Sequence, residues 1–142
     1  MYRVLIVDDE PDILYGITSM IDWSSLSIDT PDTAASLQQA RSISAQRSPD
    51  IVITDIRLDD GWGYELIPQL KQAGITPRFI MVSGYDDFNF VRQSLLLGAK
   101  DYLLKPVNKQ ELYAVLNTII QEDFGTVLEN QQKIALDPVT AK

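Results

Sequence analysis

The chain has 142 residues, a net charge of −8, and neither cysteine nor histidine. This length suits one domain with a sizeable core, and the acidic balance argues against holding nucleic acid by electrostatic attraction. The absence of cysteine and histidine excludes disulfides, Cys/His zinc sites and Ser-His-Asp catalysis.

The first predicted element is a continuous apolar run at residues 4–7, and similar runs occupy residues 51–54, 79–82 and 101–104. Runs without alternation are typical of parallel strands that are buried on both faces. Segments with helical spacing separate them, and their apolar stripes comprise Ile13, Leu14, Ile17 and Ile21; Leu66, Ile67 and Leu70; Phe88, Val91 and Leu95; and Leu112, Val115, Leu116, Ile119 and Ile120. This alternation predicts an α/β fold with a doubly wound parallel sheet.

The second strand and helix carry the weakest pattern. We predict a strand over residues 28–33 and a helix from about Ser36 to Ala45. Pro31 cannot donate a ladder hydrogen bond, which favours an edge position for this strand. A five-stranded sheet with order 2-1-3-4-5 places the second strand at an edge, so the two observations agree.

Polar residues follow four of the predicted strands at the point where each ends. Asp8 and Asp9 follow the first strand, Asp55 the third, Ser83 the fourth and Lys105 the fifth. In an open α/β sheet, ligands bind at the carboxyl ends of the strands, where the strand order reverses. We therefore expect these five side chains to meet at one edge of the sheet.

Three carboxylates in one place suit a hard divalent cation, and Mg²⁺ commonly uses one or two carboxylates together with a phosphate. A lysine and a hydroxyl beside them suit the remaining oxygens of a phosphoryl group. The pattern predicts Asp55 as the nucleophile, Asp9 as its partner on the metal, and Asp8 as a ligand through water. Singly, such residues are typical of caps and turns, but their convergence favours a site.

The motifs resemble the receiver domain of two-component response regulators over residues 2–121. The matching stretches are LIVDDE, PDIVITDIRL, FIMVSGYDDF and LGAKDYLLKP, with Gly63 after the aspartate loop. SMIDWSSL and SGYDDFNF are similar to the YesN-like subgroup, whose full-length members carry an AraC-type DNA-binding domain. The resemblance implies a flavodoxin-like receiver fold and a phospho-acceptor that assists its own phosphotransfer and dephosphorylation without being an enzyme in the ordinary sense.

The resemblance also implies roles for the acceptor and the switch. Asp55 looks like the phospho-acceptor, and Lys105 matches the lysine that pairs with the phosphoryl oxygens. Ser83 matches the switch hydroxyl and Tyr102 the switch aromatic. The Lys105–Pro106 bond is typically cis in this family, as only an X–Pro bond allows at low cost.

The metal ligands are implied in the same way. Asp8 and Asp9 match the acidic pair that holds Mg²⁺. Asp55 and the backbone carbonyl of Arg57 complete the set of protein ligands. Mg²⁺ is accordingly the expected cofactor.

Departures from the family pattern lie around this site. The family usually has a proline at Asp59 and an acid at Trp62. Arg57 and Tyr85 occupy variable positions that are implicated in the rate of dephosphorylation. Bulky side chains at both positions predict a slowly decaying phosphoryl-aspartate.

The expected function is phosphorelay signalling. A sensor histidine kinase would phosphorylate Asp55, and the face formed by helix four, strand five and helix five, roughly residues 85–121, would switch and form a symmetric dimer. Residues 1–121 are expected to form the receiver, with residues 122–142 as a linker or a short helix through Val127, Leu128, Ile134 and Leu136. Transcription would then be regulated through a DNA-binding output domain absent from this chain.

Other interpretations remain open at this point. A pseudo-receiver, or a stand-alone receiver, would act by protein contacts without phosphorylation. A flavodoxin-like redox protein would need a glycine-rich phosphate loop where this chain has DDEPD, and a haloacid dehalogenase-type hydrolase would need an acid at Arg57. No apolar run approaches membrane-spanning length and no leader pattern precedes the first strand, so we expect a cytoplasmic protein without membrane contact.

Overall fold

A computed structural model describes residues 1–84 and 86–125. Its main sheet has five parallel strands: β1 (Val4–Val7), β2 (Asp32–Ala34), β3 (Ile51–Asp55), β4 (Arg78–Ser83) and β5 (Asp101–Leu104). Their order across the sheet is β2-β1-β3-β4-β5, and each neighbouring pair is parallel. The predicted doubly wound sheet and its strand order are confirmed.

Five α-helices cover the two faces of this sheet: α1 (Pro11–Met20), α2 (Leu37–Gln46), α3 (Leu66–Gln72), α4 (Phe88–Leu96) and α5 (Lys109–Thr118). Successive strand residues alternate between two cores, because side chains of a strand point to opposite faces. Val4 and Ile6 pack with residues of α1 and α5. Leu5 and Val7 pack with residues of α2 and α3. None of the helices in the two described ranges has the length and hydropathy to cross a membrane.

The second strand is shorter than predicted. It begins at Asp32, and Ile28 makes only an isolated bridge with Tyr2. Pro31 separates the two pairings, since it has no N–H to donate to β1. The prediction that this strand lies at an edge is confirmed, whereas its start at residue 28 was wrong.

Helix ends follow the local chemistry that the sequence indicates. The Asn108 side chain accepts a hydrogen bond from the Glu111 amide at the start of α5. Gly74 and Gly98 have φ angles of +80° and +108° after α3 and α4, in the left-handed region where glycine carries no Cβ penalty. The Lys105–Pro106 bond is cis.

A small hairpin after β3 was not predicted. Residues Arg57–Leu58 and Gly61–Trp62 pair in antiparallel fashion. At its tip, the Asp60 carboxylate accepts hydrogen bonds from the backbone amides of Leu37 and Gln38, at 2.9 and 3.1 Å. The hairpin therefore supplies hydrogen-bond acceptors to the first turn of α2, although Asp60 lies 22 and 23 positions after the two donors in sequence.

A π-helical segment, Ile119–Gly125, continues α5. Asp123 forms ion pairs with Arg78 at 3.0 Å and Lys100 at 3.3 Å. The Phe124 ring stacks on Tyr2 with centroids 5.0 Å apart, and the Arg78 guanidinium lies 5.5 Å from the Phe124 centroid. The predicted short helix through Val127, Leu128, Ile134 and Leu136 lies outside the described residues.

Candidate functional site

The strand ends bring three of the predicted residues into direct contact. Lys105, just after β5, places Nζ 2.8 Å from Asp55 Oδ2 and 3.7 Å from Asp8 Oδ2. Asp8 and Asp55 are 1% and 6% exposed, so both carboxylates are buried. One ammonium thus lies between two carboxylates from different strands, which suits a site where negative charge is received.

Burial and neighbouring charges act in opposite directions on the pKa of Lys105, and burial dominates the pKa of Asp8. Burial is the main reason that the pKa of Asp8 rises from 3.8 to about 6, although the Glu10 amide and Lys105 act to lower it. Burial also acts to lower the pKa of Lys105, but its hydrogen bond with Asp55 and the charges of Asp55 and Asp8 outweigh burial and raise it. Lys105 is therefore held as an ammonium ion.

The acidic residues collect in two places. Carboxylate oxygens of Asp8, Asp9 and Glu10 lie within 4.8 Å of one another. Asp55 instead meets Asp8 through Lys105. An all-oxygen donor set of this kind fits Mg²⁺, which prefers carboxylates, carbonyls and water. The strand-end prediction did not place Glu10 among the ligands, although it directly follows the predicted pair.

Asp59 is a second acid near this group that the sequence did not identify. A hydrogen bond with Asp9, together with the charge of Asp9, raises the pKa of Asp59. The loop that carries Asp59 therefore brings a further carboxylate against the acidic cluster.

Ser83 has a buried hydroxyl without a hydrogen-bond partner among the described residues. Its side chain lies at the end of β4, which pairs with β3 up to Asp55. Its backbone carbonyl accepts a hydrogen bond from the Lys105 amide at 2.8 Å. A buried hydroxyl left unpaired costs free energy, and at this strand end a ligand oxygen is a natural partner.

Tyr102 does not join the group of Asp8, Asp55 and Lys105. Its side chain is 46% exposed on β5 and borders an open cavity of about 680 Å³ whose lining includes Ser83 and Phe88. Phe88 and Leu95, which belong to the predicted apolar stripe of α4, are 78% and 44% exposed. The cavity extends from the hydroxyl of the site to the α4–β5 surface.

The Arg57 side chain points to an acid that sequence reasoning missed. Arg57 Nε lies 2.5 Å from Asp87 Oδ1, and the guanidinium carbon lies 5.6 Å from the Trp62 ring centroid and 5.2 Å from that of Phe90. Asp87 precedes α4 and has the pattern of an ordinary cap, so no local signal indicates its pairing with a residue 30 positions earlier. The predicted role of Tyr85 lies outside the described residues.

The structure requires glycine at position 63, the glycine that the sequence motif places after the loop of Asp55. Its amide donates to the Ile56 carbonyl at 2.7 Å, and a Cβ at this position would collide with the carbonyl oxygen of Asp55. The loop after Asp55 can therefore close against the strand only with glycine here.

Comparison with known proteins gives a family match over most of the chain. Residues 4–117 match the model of the response regulator receiver domain. The transcriptional regulatory protein YesN of Bacillus subtilis is 35% identical over 122 residues, which cover 86% of this chain and 33% of YesN. HptR of Staphylococcus aureus, a transcriptional regulatory protein, is 34% identical over 133 residues, which cover 94% of this chain and 50% of HptR. The chain thus spans between a third and a half of these relatives.

Solved structures show the same fold. The REC domain of AraT, a response regulator from Geobacillus stearothermophilus, superposes with a TM-score of 0.80 at 27% identity, covering 92% of this chain and 98% of the other. A two-component transcriptional regulator AraC from Clostridium phytofermentans gives a TM-score of 0.79 at 31% identity, with 92% and 98% covered.

Proposed function

Because the chain belongs to the receiver domains of two-component response regulators, we propose that it accepts a phosphoryl group on Asp55 from a phosphohistidine of a sensor histidine kinase. The observation that carries this proposal is the Lys105 ammonium, 2.8 Å from Asp55 and 3.7 Å from Asp8. It provides a fixed cation where negative charge develops during transfer. The unpaired hydroxyl of Ser83 on the neighbouring strand end supports the same function.

Asp8, Asp9, Asp55 and the backbone carbonyl of Arg57 would hold Mg²⁺, with Glu10 close to the first two. When bound, the metal supplies charge neutralisation for the phosphoryl oxygens. Its binding would also relieve the repulsion between these acids, which the Lys105 ammonium offsets in part. The orphaned Ser83 hydroxyl and the all-oxygen donor set are the features that fit a phosphoryl group with a divalent cation.

In the transfer step, a carboxylate oxygen of Asp55 attacks the phosphorus atom. The O–P bond forms as the P–N bond to the donor histidine breaks, and the imidazole takes the electron pair. Lys105 neutralises the charge on the phosphoryl oxygens, and the Ser83 hydroxyl then donates a hydrogen bond to one of them. Hydrolysis of the acylphosphate at the same site, assisted by these groups, would end the signal.

The turn of Ser83 toward the phosphoryl group would leave room for Tyr102 to move into the cavity beside it. This shifts a pre-existing equilibrium of the α4–β5–α5 face, within residues 85–121. Two copies of the chain would then pack through this face as a homodimer. The exposed apolar residues of the face comprise Phe88, Leu95, Leu96, Leu97, Tyr102, Leu104 and Tyr113. A change in sedimenting mass on adding beryllium fluoride, which mimics the phosphoryl group, would support this step.

In the proposed organisation, residues 1–121 form the receiver and residues 122–142 lead toward an output domain. The relatives YesN and HptR are transcriptional regulatory proteins, and both are at least twice as long as the matched region. Control of transcription, through a DNA-binding domain beyond this chain, is therefore the proposed output. The sensor kinase would meet this domain in the cytoplasm.

The decisive experiment is the intact mass after incubation with a small-molecule phosphodonor and Mg²⁺. The expected result is one added phosphoryl group, lost in Asp55→Asn and on chelation of the metal, and retained in the control Asp32→Asn on the edge strand. No adduct in the parent protein, despite measurable Mg²⁺ binding, would contradict the proposal and favour a pseudo-receiver that acts by protein contacts.

A further inference from the structure

One buried carboxylate connects the two loops that flank the acceptor. Asp87 is 2% exposed. Its Oδ1 accepts a hydrogen bond from Arg57 Nε at 2.5 Å, and its Oδ2 accepts one from the Gly84 amide at 2.6 Å. Arg57 lies two residues after Asp55, and Gly84 directly follows Ser83. The side chain of Asp87 therefore joins the acceptor loop to the end of β4.

An ordinary capping role does not account for Asp87. It occupies the N-cap position of α4, yet its side chain makes no hydrogen bond to the amides of that helix. Both of its oxygens are directed to groups outside the helix. A carboxylate in this position normally binds the first amides of its own helix, so its actual partners indicate another task.

Arg57 lies within the electrostatic influence of the acceptor. The hydrogen bond with Asp87 is the main reason that the pKa of Arg57 is raised, and the charges of Asp86 and Asp55 add to it. The guanidinium lies near the rings of Trp62 and Phe90. It is also half-exposed, so its outer side has room to move. A phosphoryl group on Asp55 would offer several anionic oxygens, to which guanidinium groups bind through paired hydrogen bonds.

We propose that Asp87 is a positioning residue that retains Arg57 before phosphorylation, and that the phosphoryl group on Asp55 draws Arg57 away from it. This inference rests on the proposed phosphorylation of Asp55. Once Arg57 leaves, the Asp87 carboxylate loses its cation, and its hold on Gly84 is the remaining link to β4. A change of charge at Asp55 thereby alters the contacts at the start of α4, because Arg57 exchanges Asp87 for the phosphoryl group.

The test is a double-mutant cycle on the affinity for beryllium fluoride in the presence of Mg²⁺, measured by calorimetry. Asp87→Asn removes the charge and keeps an oxygen for the Gly84 amide. Because it frees Arg57 in advance, it should raise the affinity about fivefold, the size expected for one partly exposed ion pair. Arg57→Gln should lower the affinity, and in that background Asp87→Asn should have no further effect.

Trp62 gives a second measurement that a structural role alone would not change. The chain has two tryptophans, and Trp23→Phe leaves Trp62 as the only one. Adding the mimic should change the Trp62 emission as Arg57 departs, and Arg57→Gln should abolish that change. Asp32→Asn, which breaks the remote ion pair with Arg47, is the matched control and should alter neither measurement.

The outcomes distinguish failure of the proposed phosphorylation of Asp55 from failure of the proposed Arg57 exchange. Failure of the parent protein to bind the mimic would overturn the proposed function and this inference together. Binding of the mimic with the same effect of Asp87→Asn in both backgrounds would overturn only the inference and leave Asp87 a structural residue. If Asp87→Asn does not fold, Arg57→Gln decides, because an unchanged affinity and an unchanged Trp62 response would contradict the exchange.

Discussion

At the scale of single residues, the site contains one carboxylate, that of Asp8, which burial makes costly to ionise. Asp8 is 1% exposed, and its attraction to Lys105 at 3.7 Å only partly offsets the loss of water. Asp55 has the closer contact with that lysine, at 2.8 Å. Without a divalent cation, the free energy of the folded state should therefore depend on whether Asp8 is charged.

We expect the stability of the metal-free protein to fall as the pH rises from 4 to 7. The pKa of Asp8 is about 6 in the folded protein against an ordinary 3.8, so the folded state takes up the proton first. This contribution is complete below pH 4 and lost as the pH passes through 6, with a size on the order of 2 kcal/mol. Urea unfolding in a chelator at several pH values measures it.

Asp8→Asn is the control for that experiment, because an amide of the same shape does not titrate. The variant should be more stable than the parent protein at pH 7 and should lack its extra slope between pH 4 and 7. Parallel pH profiles for the two proteins would contradict this explanation.

At the scale of elements, the loop after β3 contacts the start of α2 as well as lying beside Asp55. Asp60 binds the Leu37 and Gln38 amides, and the hydrogen bond from Leu37 is the main reason that the pKa of Asp60 is lowered. The Ser36 side chain accepts from the Gln39 amide in the same turn. The start of α2 is thus stabilised by its own cap and by a carboxylate from the acceptor loop.

Asp60→Ala should destabilise the protein by about 1 kcal/mol, because two amides of α2 lose their partner. The neighbouring Asp59→Ala is the matched comparison, since it removes a carboxylate that lies against Asp9. Without metal, it should leave stability unchanged or increase it. Thermal unfolding of both variants in a chelator would show the difference, and equal losses would rule out a specific role for Asp60.

The elements that the sequence predicted are those with local signals. Continuous apolar runs identified the strands, and Asn108, Gly74 and Gly98 are residue types typical of the helix ends at which they lie. The contacts that sequence reasoning missed join distant positions, as when Asp87 pairs with Arg57 or Asp60 caps α2. Local patterns carry no information on such pairs. An apolar stripe also does not reveal whether anything covers it, so the exposure of Phe88 and Leu95 on α4 is visible only in the structure.

At the scale of the whole molecule, the last described segment, Ile119–Gly125, is attached at the end of the sheet opposite Asp55. Asp123 binds Arg78 at the start of β4 and Lys100 just before β5. Burial acts to raise the pKa of Asp123, but its hydrogen bonds with Arg78 and Lys100 outweigh burial and lower it. Two strands of the sheet therefore share one carboxylate from the segment after α5.

We expect Phe124→Ala to destabilise the protein by about 1–2 kcal/mol, because it removes the stack on Tyr2 and the contact with Arg78. Asp123→Asn should have a smaller effect, near 1 kcal/mol. Amide hydrogen exchange should become faster in Ile119–Gly125 for both variants, while the acceptor strand β3 is unaffected. Exchange that rises equally in both regions would show that the contacts support the whole domain and not this segment.

The stack of Tyr2 on Phe124 has a topological consequence. It brings Tyr2 and Phe124, near the two ends of the described residues, side by side at the end of the sheet remote from Asp55. A domain with adjacent ends can be spliced as a cassette into a loop of another protein, or circularly permuted, with little rearrangement of its host. In either arrangement the end of the sheet that carries Asp55 would remain turned away from the junction.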